Sequence, residues 1–196
     1  MLIDLHTHTK VHSPCSALTV EALVRAGRAR GLDGVCLTEH DALWALGDVQ
    51  RVAAEMMFVV LRGMEVTTEA GHVLVFGLER HDPAMASLAR LHRLVRAEGG
   101  LMYLAHPSRR YGALPPAEEL ATLFDSVEVE NGTEGVLQNE NAAALTRGMR
   151  LPGIGGSDCH SAREVGVCAT EFSAAVRDEG SFVAALRAGE YRARRV

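Results

Sequence analysis

The sequence predicts an α/β fold: a barrel of largely parallel strands with helices outside it. Two observations predict this. A strand, a helix and a second strand follow one another between Met1 and Asp41, the signature of a βα repeat. Residue types that ligate metals also recur at the ends of successive predicted strands. In a barrel of parallel strands those ends share one rim, and chemistry sits there.

The first strand opens with Met1, Leu2 and Ile3 and runs into Asp4-Leu5-His6-Thr7-His8. Side chains alternate faces along a strand, so His6 and His8 point the same way and form a ready pair of metal ligands. After the loop Thr9 to Leu18, Thr19 suits an N-cap. Val20, Leu23, Val24 and Gly27 keep one helical face, and Gly31 suits the residue after the helix. The apolar run 34–38 is a strand ending in Glu39-His40-Asp41, and a helix is expected over 42–54. Residues 57–61 form the next strand, leading through Gly63 to Glu65. The turn from Thr67 to Gly71 is too short for a crossover helix, so 72–77 should return antiparallel as a hairpin.

Pro83 opens a helix whose Leu88, Leu91 and Val95 share a face, and Gly99-Gly100 stops it. Strand 101–105 delivers His106-Pro107. Pro115-Pro116 starts a helix with Leu120, Leu123 and Phe124 inward. Residues 126–130 alternate as a strand, and a helix follows to about Gly148. A glycine-rich strand, 152–156, ends in Ser157-Asp158-Cys159-His160. A short strand at 167–170 and a helix at 181–188 complete the expected elements. The run Arg192-Ala193-Arg194-Arg195 reads as a solvated tail.

Composition narrows the function classes. At 196 residues the chain suits one domain, 1–196, with ample length for a core. A net charge of −5 argues against a general electrostatic grip on nucleic acid. The longest uninterrupted apolar run, Met56 to Leu61, is far too short to span a bilayer. No charged-then-apolar signal precedes the first strand, and Cys15, Cys36, Cys159 and Cys168 form no CxxC, so free thiols and a cytoplasmic location are expected.

His6, His8, His40, Glu65, His106, Asp158 and His160 all close predicted strands. His72 begins one, and the hairpin return places it beside the end of the strand before. One metal-binding rim accounts for all eight positions. The segments DLHTHT at 4–9, TEHD at 38–41, GMEV at 63–66, GHVLVFG at 71–77, AHP at 105–107 and GGSDCH at 155–160 fall in order. On these segments the chain resembles the PHP (polymerase and histidinol phosphatase) family. The resemblance implies a distorted seven-stranded (β/α) barrel of TIM type, two or three metals, and phosphoester hydrolysis.

Carried over by motif, the resemblance implies that His6, His8, Glu65 and Asp158 hold a first metal. Glu65 bridges to a second, held also by His72 and His106. His40 and His160 hold a third, which relatives complete with an Asp or His from the loop after the first motif. Here Ser13 stands where an Asp is often found, and His12 or Cys15 could substitute. Mixed imidazole and carboxylate ligation suits zinc, manganese or iron. A carboxylate bridging two ions, with a hydroxide between them, is the arrangement used for in-line displacement at phosphorus. Arg109 and Arg110 could clamp a phosphate bidentately. Asp41 and Glu39 could orient a ligand, and Asp41 could move a proton. The expected activity is hydrolysis of a phosphate ester of a small metabolite or nucleotide. A hydrolase of carbon–nitrogen bonds, or a non-catalytic metal-stabilised module, are the alternatives.

Overall fold

The computed structural model describes residues 1–109 and 116–196. In chain order the elements are β1 (Leu2–Thr7), α1 (Val20–Ala29), β2 (Gly34–His40), α2 (Leu46–Met56), β3 (Val59–Thr68) and β4 (Gly71–Phe76). Then come α3 (Leu88–Glu98), β5 (Leu101–Leu104), α4 (Ala117–Leu123), β6 (Ser126–Asn131), α5 (Val136–Met149) and β7 (Ile154–Gly156). The chain ends with β8 (Cys168–Phe172), α6 (Glu179–Ala188) and β9 (Tyr191–Arg195). The sheet order is β7-β6-β5-β4-β3-β2-β1-β8-β9. Pairings β1–β2, β2–β3, β5–β6 and β6–β7 are parallel; β3–β4, β4–β5, β1–β8 and β8–β9 are antiparallel.

The expected α/β barrel is present, with nine strands among the described residues in place of seven. The basic run at the chain end is the main correction. It is strand β9, not a solvated tail, and it pairs with β8 along its whole length. Tyr191 is buried, Ala193 packs on the core, and Arg192 and Arg194 reach Glu171 on β8. Period-two alternation is therefore present in Tyr-Arg-Ala-Arg. Charged side chains on such an edge discourage pairing with another chain. The helix expected over 42–54 begins only at Leu46, so 42–45 is a connection at the rim.

The strand interior holds Ile3, Leu5, Cys36, Leu61, Leu74, Phe76, Leu101, Tyr103 and Ile154, plugged below by Phe182 and Leu186 of α6. Outside, Val35 and Leu37 pack on α1 and α2, while Met64, Val73, Val75, Met102, Val127 and Val129 pack beneath α3 and α5. The hairpin β3–β4 replaces a crossover, as the short turn required, and pairs Thr67 with His72.

Strand β1 contributes both Leu5 and His6 to the interior, which a regular strand cannot do. Its pairing with β2 shifts register between Asp4 and Thr7, and such a bulge re-aims the following side chains. Asp4 holds the distorted segment. Its Oδ1 accepts from the Ser157 amide at 2.8 Å and the His6 amide at 3.3 Å, and its Oδ2 accepts from Gly166 at 2.9 Å. Burial pushes the Asp4 carboxyl up to about 6. The ring closes where β7 meets β1. The Asp158 amide donates to the His6 carbonyl at 2.7 Å. Gly156 permits that approach: a Cβ there would lie 2.3 Å from the His6 Cβ.

Candidate metal centre

Glu65 is the centre of the rim. It lies on the inward face of β3, two positions beyond Gly63, and it is fully buried. Its Oε2 lies 3.3 Å from His6 Nε2, 3.2 Å from His8 Nε2 and 2.8 Å from His40 Nδ1. Its Oε1 lies 2.7 Å from His72 Nδ1 and 2.9 Å from His106 Nε2. Asp158, buried at the β7 end, places Oδ1 3.6 Å from His6 Nε2 and 3.3 Å from His8 Nε2. Among the described residues, four groups of donor atoms are close enough to hold an ion: His6, His8 and Asp158; Glu65, His72 and His106; His8, His40 and His160; and His6, His106 and Glu128.

The donor chemistry fits metal ions. His6 Nε2, His8 Nε2 and Glu65 Oε2 are buried, converge on one another and have no hydrogen-bond partner among the described residues. A buried polar atom without a partner costs about 1–3 kcal/mol, and one usual explanation is a bound ion or water. The other ring nitrogens are already committed. His6 Nδ1 donates to Glu128 at 2.9 Å, and His160 Nδ1 donates to the Asp158 carbonyl at 3.0 Å. Such bonds fix the tautomer and leave the opposite nitrogen free to ligate.

Charges in the cluster shift one another. Burial disfavours the Glu65 carboxylate, but the His6 charge and the imidazoles of His106 and His40 beside it hold it well below the usual range. Burial likewise opposes charge on His6, yet Glu128, Glu65 and Asp158 raise its pKa well above the ordinary 6.5. Protein stripped of metal with a chelator should therefore show a defined pH window. The Glu65 contribution is complete above 4.5 and lost as pH falls through its depressed value. The His6 contribution is complete below 6.5 and lost as pH rises through its raised value. Thermal melts in chelator should give the highest Tm between those limits and a falling Tm on the alkaline side. A Tm that rises steadily above pH 6.5 contradicts this.

The remaining predicted residues have other surroundings. His12 is exposed, its ring edge-on to Trp44 at 5.0 Å, and neither His12 nor Cys15 joins a donor group among the described residues. Ser13 is buried: its hydroxyl donates to Glu39 at 2.6 Å and accepts from the His40 amide at 3.1 Å. Glu39 also accepts from the Thr9 amide and the Trp44 indole, each at 3.0 Å. It thereby anchors the loop behind His8. Asp41, at a positive φ of 49°, turns its carboxylate onto the Thr67 amide at 2.8 Å. That contact holds the β2 end against β3.

Arg109 departs most from expectation. In place of an open phosphate clamp, its guanidinium donates to Asp158 Oδ2 at 2.8 Å and to Glu134, Thr133 and Asn131. Arg110 lies outside the described residues. Glu128 is the site residue that sequence reasoning missed. Its signal was visible: Val127 and Val129 pack outward, so Glu128 faces the barrel interior between them.

A family model described as PHP domain matches residues 4–141, and one described as PHP-associated matches 136–191. An uncharacterized protein of Methanocaldococcus jannaschii is 24% identical over 153 residues, covering 71% of this chain and 88% of its own. Among solved structures, PsfC of Pseudomonas syringae has a TM-score of 0.71 at 20% identity over 100% of this chain and 91% of its own. A two-domain protein of Bacteroides vulgatus, described as containing a predicted PHP-like metal-dependent phosphoesterase, scores 0.70 at 22% identity, with 99% of this chain and 64% of its own covered. A structure from Chromobacterium violaceum described as an amidohydrolase scores 0.68 at 19% identity, covering 84% of this chain and 89% of its own.

Proposed function

The chain belongs to the PHP domain family, and from that premise we propose that residues 1–196 act as one metal-dependent phosphoesterase domain on a small phosphorylated metabolite or nucleotide. The observation that carries the reading is the convergence of buried, unpartnered His6 Nε2, His8 Nε2 and Glu65 Oε2 beside Asp158. His6, His8, Asp158 and Glu65 would hold one divalent ion. Glu65, through its other oxygen, would hold a second with His72 and His106. His40 and His160, with His8 beside them, offer a third and more exposed set. Zinc, manganese and iron suit these ligands. Such ions supply Lewis-acid polarisation of a phosphoryl oxygen and a water acidic enough to act as nucleophile at neutral pH.

The chain's own residues do the positioning. Glu65 ties five imidazoles to one carboxylate and fixes the spacing between the two inner sets. Asp158 closes the first set while Arg109 holds its outer oxygen. His40 and His160 stand half-exposed at the mouth, where an incoming ester first meets the protein. No helix among the described residues is long and apolar enough to cross a membrane, and the proposed partner is a small phosphorylated substrate met in the cytoplasm.

A second reading, hydrolysis of a carbon–nitrogen bond, draws on the similar structure described as an amidohydrolase. A panel of phosphate monoesters, diesters, short oligonucleotides, amides and cyclic imides, assayed with manganese or zinc, separates the two. Metal-dependent cleavage of a phosphoester, to phosphate from a monoester or to a monoester from a diester, supports the first reading. Turnover of an amide or imide with no phosphoester cleaved would replace it with the second.

A further inference from the structure

We propose that Glu128 is the positioning residue that couples the two inner metal sets, acting as an acceptor-only clamp beneath them; the inference rests on the metal reading above. Glu128 is buried on β6 and faces the interior. Its Oε1 receives His6 Nδ1 at 2.9 Å, and its Oε2 receives the His106 amide at 2.9 Å and the Asn131 side-chain amide at 3.0 Å. His6 belongs to the first set and His106 to the second. One carboxylate therefore orients a ligand of each.

All three partners are donors. The Asn131 amide is held with its nitrogen toward Glu128, because its oxygen already accepts from the Thr133 amide at 2.9 Å and hydroxyl at 2.7 Å. His106 sits at a positive φ of 22°, a conformation that a non-glycine residue adopts only under constraint, and the bond from its amide to Glu128 supplies one. An ionised carboxylate accepts at both oxygens and donates at neither. Glutamine has nearly the same shape but one acceptor and one donor end. With its oxygen toward His6, its amine faces the His106 and Asn131 donors. With its amine toward His6, it forces the imidazole proton onto Nε2, the atom aimed at Glu65 and Asp158. Neither orientation serves both ligands. The donor group His6, His106 and Glu128 is thus an orienting arrangement, not a further ion site.

The test compares zinc affinity of the wild type, Glu128→Gln and Glu128→Asp by competition with a chromophoric chelator. Imidazole nitrogen NMR of the zinc-loaded wild type is recorded alongside. Loss of a partner that orients a metal-ligating His typically costs about 10–100-fold in metal affinity. We expect a loss of that size in Glu128→Gln and a smaller one in Glu128→Asp, which is too short but keeps two acceptors. The NMR spectrum should show His6 protonated at Nδ1 and coordinated through Nε2. Glu128→Gln binding zinc as well as wild type, or better than Glu128→Asp, would reduce Glu128 to a packing residue and overturn the proposal. Loss of one whole ion at saturating zinc, with the others unchanged, would make Glu128 a ligand and overturn it equally. His6 coordinated through Nδ1 would overturn it without any variant. A wild type that binds no zinc would instead remove the metal reading itself.

Discussion

Glu65→Gln is expected to abolish hydrolysis and to weaken metal binding at both inner sets together. The variant keeps the shape of the side chain but replaces one oxygen with an amine, which must then face either His6, His8 and His40 or His72 and His106. Removing one partner from a buried charged network costs about 3–5 kcal/mol, more than two factors of ten in an equilibrium or a rate. His40 lies at the exposed edge of the cluster, so His40→Ala should disturb the outer set and lower turnover less, and less uniformly across substrates. Steady-state kinetics with metal quantified in parallel checks both. Near-normal turnover and metal content in Glu65→Gln would show that no bridging carboxylate is needed.

Arg109→Ala is expected to lower metal affinity and kcat/KM in step. The expectation differs from the one the sequence invites, in which an arginine beside His106-Pro107 grips substrate phosphate and leaves metal content alone. Here Arg109 Nη1 sits 2.8 Å from Asp158 Oδ2, while Asp158 Oδ1 faces His6 and His8. Its loss frees a side chain that stands at a positive φ of 53°. A hydrogen bond to a charged group contributes about 1.5–3 kcal/mol, and the half-exposed guanidinium places this one at the lower end, about tenfold. A fall in kcat/KM with metal affinity unchanged would restore the direct clamp. No change in either would leave Arg109 a surface ion pair.

The rim was legible because its candidate ligands obey strand arithmetic. His6 and His8, the Glu65 series on β3, and the His72 return across a short hairpin follow from period two and turn length alone. What escaped depends on partners rather than pattern. The bulge that lets Leu5 and His6 share the interior is set by Asp4 bonding to Ser157 and Gly166, both more than 150 residues away in sequence. Arg109 has no local signal that distinguishes substrate from Asp158. Glu128 and β9 are different, because alternation was present in both. At Glu128 the alternation gives the strand geometry but not the partners that the inward carboxylate meets. In β9 three arginines outweighed the inward Tyr191 and Ala193.

Elemental analysis of protein purified without chelator, and again after chelation and reconstitution, tests the central claim most directly. The ligand sets around the two Glu65 oxygens predict two tightly held transition-metal ions per chain. His40 and His160 predict a third at partial occupancy, because His12 and Cys15 stand apart from them. Protein that holds no metal even after reconstitution would contradict the account at its root.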